Sequence, residues 1–143
     1  MMSVKVHIFT EIYGVAMKNL QKIEKISPSD KLSLFDRPWT PKIIAELNEN
    51  YVKLAKLEGE FIWHKHKDDD ELFLVIEGHL SMHLRDRTIE LHPGEMIVIP
   101  KGVEHKPEAA SGTASVLLIE PKTVLNTGDQ RDSDLTKTEL EWI

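Results

Sequence analysis

The 143-residue sequence contains no cysteine, and no window of it approaches the ~18 continuous apolar residues of a membrane-spanning helix. Without thiols there is no disulfide framework and no thiolate ligand, so any bound metal must rest on nitrogen and oxygen donors. Basic residues are outnumbered, 18 Lys and Arg against 24 Asp and Glu, for a formal charge of −6. No Lys/Arg stripe stands out against that background, so neither nucleic acid nor a membrane is expected as a partner. The first ten residues have no long apolar run and no A-x-A-like cleavage site, which argues against a secretory signal and for the cytoplasm. Internal repeats, low-complexity tracts, linkers and a helix-turn-helix pattern are also missing. What remains, 41% apolar and 29% charged residues with seven Gly and seven Pro, is the composition of one globular domain.

Residues 1–24 read as a peripheral N-terminal arm, with Val4, Val6 and Ile8 alternating with polar neighbours. The domain is expected over 25–143. Between Lys25 and Pro41 three prolines and several turn formers indicate a loop, in which Leu32, Leu34, Phe35 and Trp39 would cap the domain. K-I-I-A-E-L and Y-V-K-L-A-K-L-E, joined at Asn48–Asn50, suit an antiparallel hairpin. A helix over 41–57 is the competing reading, because Ala, Glu, Leu and Lys are good helix formers. Short strands follow at Phe61–His66, Leu72–Glu77, Leu80–Arg85, Ile89–Leu91, Met96–Ile99 and Ser115–Glu120, divided by turn residues. Strands of that length and spacing predict an all-β sandwich or barrel. In the polar tail, Leu140, Trp142 and Ile143 are expected to pack back on the domain.

Five of the seven histidines fall between positions 64 and 92, and His105 follows. Residues two apart on a strand share a face, so H-x-H at His64 and His66 presents two imidazoles side by side. The turn Lys67–Asp70 would reverse the chain and bring Glu71 beside them. His105 lies beyond a turn at Gly102, and a rolled-up sheet can return it to the first pair. Three imidazoles and a carboxylate suit a divalent transition metal (Fe, Mn, Ni, Co or Zn) better than Ca or Mg. In a six-coordinate ion they leave two positions for water, dioxygen or a chelating small-molecule ligand. By itself H-K-H beside an acidic run is a weak signal, and Asp68–Asp70 reads as a solvated turn.

Taken jointly, these residues resemble the motifs of the cupin superfamily, in its small single-domain, mannose-6-phosphate-isomerase-like form. The first motif is met by Gly59, His64, His66, Glu71 and Gly78, and the spacing to Gly78 selects Glu71 rather than Asp70. The second, G-x5-P-x-G-x2-H, is met by Gly94, Pro100, Gly102 and His105. Two departures are a spacing one residue short between Gly59 and His64, and Ala109 where the family often carries Asn. The resemblance implies a double-stranded β-helix (jelly-roll barrel), a metal on His64, His66, Glu71 and His105, and a homodimer. It also implies dioxygenase, isomerase or epimerase activity on a small organic or sugar-like substrate, or non-catalytic binding of a carboxylate or sugar. No second catalytic constellation, such as a His–Asp pair, is legible, so an enzyme and a binding module both stay open. So does a metal-free barrel.

His79, His83 and His92 are further candidates for ligand contacts, against the simpler expectation that they are exposed. Phe61, Trp63 and Lys65 alternate with the ligands and are expected to face away from the metal. There, Phe61 and Trp63 would meet a dimer partner or the N-terminal arm. Met82 and Met96 read as barrel packing. Arg85, Arg87 and Lys101 could meet an anionic substrate, with solvated charge as the default.

Overall fold

The computed structural model describes residues 23–143, so all of the expected arm except its last two residues lies outside the described part. A single helical turn, α1 (Pro28–Leu32), is capped by Ser27, whose Oγ accepts the Asp30 N–H. Eight strands follow: β1 (Lys42–Leu47), β2 (Asn50–Glu60), β3 (Glu71–Glu77), β4 (Leu80–Leu84), β5 (Thr88–Leu91), β6 (Met96–Ile99), β7 (His105–Pro121) and β8 (Glu141–Trp142). The hairpin reading of residues 41–57 therefore prevails over the helix. Asn48 takes the left-handed conformation (φ 53°) that lets two residues turn β1 into β2.

β7 is the spine of the barrel. One edge pairs along β2, and the other pairs first with β4 and then with β3. β5 extends the sheet beyond β4, β6 beyond β3, and β1 and β8 beyond β2. Where Glu58 pairs with Thr113, the next residue, Gly59, pairs with Ala109. Residues 110–112 thus bulge out, and the long strand bends so that its two halves serve opposite walls. Only Ser115–Glu120 of β7 was legible as strand; K-P-E-A-A-S-G carries little β propensity.

Alternation gives the barrel two apolar layers. Ala55 and Leu57 of β2, Phe73 and Val75 of β3, Met82 of β4, and Val116 and Leu118 of β7 fill the interior. Leu54 points the other way and packs with Ile44 and Leu32 beneath α1, joined by Phe35, Val52 and Ile143. Leu32 and Phe35 so cover the outside of the β1–β2 sheet rather than a barrel mouth, and Leu34 is left exposed. At the C-terminus Ile143 packs back as expected, whereas Trp142 remains half exposed with its edge against Tyr51. Met82 is fully buried, but Met96 is exposed on β6, contrary to its reading as packing.

Because β2 is covered on both faces, its pattern cannot be read as polar-out. Lys53, flanked by Val52 and Leu54, is in phase with Ala55 and Leu57 and lies in the barrel interior, 1% exposed. Its Nζ meets Glu120 Oε1 at 2.7 Å.

Candidate metal centre

The segment 61–66 is not the continuous strand its sequence suggests. Phe61 N–H donates to Pro107 O (2.9 Å), and His64 exchanges both backbone hydrogen bonds with His105 (3.1 and 2.9 Å). Beyond that single bridge the chain is irregular. This one reciprocal pair still sets His64 directly against His105, although 41 positions separate them in the sequence.

His66 and Glu71 are fixed from the other side. Gly102 N–H donates to His66 O (2.7 Å), and Lys101 N–H donates to Asp70 Oδ1 (2.9 Å). The loop of the second motif therefore clamps the turn of the first. Asp70 serves that clamp, which leaves Glu71, the first residue of β3, to point inward with Phe73 and Val75. His105 opens β7 instead of lying in a loop.

Ligand-type atoms of His64, His66, Glu71 and His105 all lie within 4.8 Å of one another, and all four side chains are buried. His64 Nδ1 lies 2.9 Å from Ile62 O, and His105 Nδ1 lies 2.9 Å from Val103 O. A carbonyl can only accept, so each Nδ1 carries the proton and each Nε2 offers its lone pair inward. His105 Nε2 faces Glu71 Oε2 at 3.2 Å. Two lone-pair atoms at that distance repel unless a proton or a cation lies between them. His66 Nε2 is 3.0 Å from the same Oε2 but is not aligned for a hydrogen bond, and it has no other partner. The donor set, the tautomers and this orphaned nitrogen fit a transition-metal ion.

Electrostatics agree with that fit. Burial, then the neighbouring His105, lowers the His64 pKa to about 4, so the ring is neutral and ready to coordinate at neutral pH. Burial pushes His66 the same way, but the Glu71 carboxylate outweighs it and raises the pKa above the usual histidine value. Burial disfavours the Glu71 charge, yet contacts from His105 and His66 hold its carboxyl below the ordinary range.

Beside the cluster lies a cavity of about 40 Å³. Its walls are mainly apolar, and His64, Glu71, Glu120 and Asn126 are among the polar side chains that reach it. Phe61 forms part of the wall, edge-on to His64 at 5.3 Å and stacked on Trp39 at 4.7 Å. Phe61 thus faces the site, where strand alternation had pointed it away; the irregular backbone after Gly59 breaks the alternation. Trp39, a bulky residue at φ 58°, is held by N–H to Lys56 O (2.9 Å) and indole N–H to Glu58 O (3.0 Å).

The C-terminal tail closes the opposite side. Asp129 N–H donates to Lys65 O (3.1 Å), and Lys65 N–H donates to Asp129 Oδ1 (3.0 Å). Gly128 sits so close that a Cβ there would fall 2.2 Å from Lys65 O and 3.3 Å from the His64 ring. Sequence reasoning missed Lys53, Glu120 and this clasp, whereas Trp39, read as an apolar cap, does pack against the barrel core. A usable signal existed for Glu120: it is in phase with Val116 and Leu118, which were already read as strand.

The other candidates lie away from the cluster. His79 pairs with Glu90, His83 bridges Glu108 (2.6 Å) and Thr88 (2.8 Å), and His92 pairs with Glu95 (3.0 Å). Arg85 stacks on Trp63 (3.8 Å) and pairs with Glu104 (2.6 Å), so Trp63 does face outward. Arg87 pairs with its neighbour Asp86 and is exposed, as is Lys101.

A small barrel with this cluster at one end of its interior has the architecture that the motifs implied, and comparison with known proteins agrees. The family model described as "Cupin domain" matches residues 50–129, more than half of the chain, and the chain belongs to that family. It is 50% identical, at a TM-score of 0.67, to a cupin-2 domain containing protein from Shewanella frigidimarina NCIMB 400, covering 72% of this chain and 98% of that one. Protein NMB1881 from Neisseria meningitidis is 31% identical at a TM-score of 0.63, with 68% and 99% covered. Over 80 residues the chain is 40% identical to Uncharacterized protein YdbB of Bacillus subtilis (strain 168), which spans 55% of this chain and 70% of that one.

Proposed function

We propose that the protein holds a divalent transition metal on His64, His66, Glu71 and His105 and uses it to bind a small oxygen-bearing organic molecule. The observation that carries this reading is the convergence of three buried imidazoles and the Glu71 carboxylate, whose ligand-type atoms all lie within 4.8 Å of one another, with the His64 and His105 tautomers set by backbone carbonyls. Fe, Mn, Ni, Co and Zn all accept such a set. When bound, the ion would supply a Lewis acid with positions left for the ligand. The protein's own part is to hold the donors and exclude water with Trp39, Phe61 and Phe73.

Both a metal-dependent enzyme and a binding protein fit these features. An enzyme of dioxygenase or isomerase type is the reading we favour, because a second buried carboxylate, Glu120, lines the same cavity. Metal analysis of protein purified without a His-tag tests the centre; below about a tenth of an equivalent, with no uptake on reconstitution, it is refuted. Oxygen-uptake and isomerase assays on the reconstituted forms then separate enzyme from binder.

The same reading has the chain working as a cytoplasmic homodimer. Strand β6 pairs on one edge only among the described strands and exposes Met96 and Val98, which suits a second copy. A monomer by light scattering at micromolar concentration would overturn the dimer. Among the described residues no helix is long and apolar enough to cross a membrane.

A further inference from the structure

Of the residues that line the cavity beside the metal cluster, all are buried except Trp39 and Asn126. Among the described residues, a route from solvent into the cavity therefore runs past one of these two. The lining also leaves a polar atom to be met: Glu120 Oε2 is buried and has no hydrogen-bond partner. Asn126 is the poorer door. Its Nδ2–H donates to Leu135 O (2.8 Å), and its Oδ1 accepts the Lys137 N–H (2.8 Å). Thr127 beside it is fully buried, with its hydroxyl on that of Thr136 (2.6 Å). Moving Asn126 would break both bonds and disturb the clasp on Lys65.

Trp39 is held differently. Its φ of 58° is a left-handed conformation that a bulky residue rarely adopts, and its N–H, donated to Lys56 O (2.9 Å), keeps it there. Such strain persists only where the surroundings enforce it, and ligand clamps are among the places where it collects. The enforced backbone sets a large flat ring in the cavity wall beside Phe61, which is edge-on to His64. The ring itself hangs on one hydrogen bond, indole N–H to Glu58 O (3.0 Å), and on its stack with Phe61 (4.7 Å). A side-chain rotation that breaks this one bond widens the passage with no change in the backbone.

We propose that Trp39 selects the ligand of the metal centre: its indole stands across the passage into the cavity and favours oxygen acids with a small apolar substituent over bulky ones. The class follows from the wall. The ion's open positions would take the oxygens, and Ala55, Leu57, Phe73 and Val116 offer the rest of the ligand apolar contact. This inference rests on the proposed metal reading.

The test uses the full chain loaded with Zn²⁺ and two probes that share one chelating group, acetohydroxamate and benzohydroxamate. Calorimetry at one fixed pH gives the ratio of their affinities, which a loss common to both probes does not move. Wild type is expected to favour acetohydroxamate, and Trp39→Gly to move the ratio at least about tenfold toward benzohydroxamate. Glycine accepts the left-handed backbone, so this variant removes the ring without adding strain. Trp39→Phe, with a smaller ring, should move the ratio the same way by about threefold or more, and it decides alone if the glycine variant does not fold. Trp63→Ala removes an outward-facing indole under Arg85 and should leave the ratio within about twofold. A folded, zinc-loaded Trp39→Gly chain with the wild-type ratio overturns the inference and leaves the metal reading standing. So does a shift in Asn126→Ala that Trp39→Gly does not show, because the passage then lies on the other side. A zinc-loaded wild type that binds neither probe also overturns the inference alone. A chain that holds no zinc overturns both.

Discussion

Six described histidines divide into an inner three and an outer three, and both sets face glutamates. On the outside, His83 spends both ring nitrogens, on Glu108 and Thr88, and Glu90 is held low first by the Ser81 hydroxyl and then by His79. Among the described residues no group of three or more metal-ligand side chains converges there. On the inside, His64 and His105 spend only Nδ1, on backbone carbonyls, and His66 Nε2 has no hydrogen bond at all. The same residue types thus give surface ion pairs in one place and buried donors converging on one another in the other. What separates them is whether the second nitrogen has a partner after burial has removed water.

The largest expected break of this contrast is His105→Ala. It should lower metal affinity by more than about a hundredfold in competition with a chromophoric chelator, whereas His83→Ala should stay within about threefold. Equal losses in the two variants would dissolve the distinction. Next comes the clasp. Gly128→Ala forces a Cβ against Lys65 O and should cost about 2–3 kcal/mol in denaturant unfolding while weakening metal retention. Gly94→Ala, where a Cβ meets nothing within 4 Å, should cost about 1–2 kcal/mol for its positive φ and leave metal retention intact. Metal loss in both, or in neither, would show that the tail does not support the ligands.

A smaller effect is the pH dependence of metal uptake. The His66 pKa is raised and that of His64 is lowered to about 4, so protons compete for His66 first. Affinity should fall as pH drops from neutral, with protons released as the ion binds. A count near zero would place the competing proton elsewhere. Smaller still is the effect of Glu120 on the metal-free protein. Its pKa is raised to about 8 when folded, so its contribution is greatest below the unfolded value of 4.5 and is lost as pH rises through 8. His64, lowered to about 4, works in the opposite direction, but only below its unfolded value of 6.5. Between pH 6.5 and 8 wild type should therefore lose about 1–2 kcal/mol relative to Glu120→Gln, in which only the His66 share of the decline remains. Parallel stability profiles for the two proteins would refute the raised Glu120 pKa.

That these four residues could meet was legible because local spacing and one turn bring most of the cluster together. His64 and His66 are two apart, Glu71 follows the turn, and Gly102 precedes His105 by a fixed step. Phe61 was misread and Lys53 was missed for one shared reason. Alternation predicts sidedness only while the strand stays regular and only one face is covered. The backbone leaves the ladder after Gly59, and β2 is buried on both faces. That Glu120 meets Lys53 and that the 126–129 clasp meets Lys65 depend on pairings across 67 and 64 positions, which leave no local trace.

Composition, turn spacing and the histidine pattern by themselves determined an all-β domain, nitrogen and oxygen donors, and which four residues could meet. Those are properties of neighbours along the chain. Which ring nitrogens remain free, which carboxylate lacks a partner, and how little room lies beside them were decided only by the tertiary structure. Burial strips away water, and each polar atom is then defined by the one partner that the fold does or does not supply.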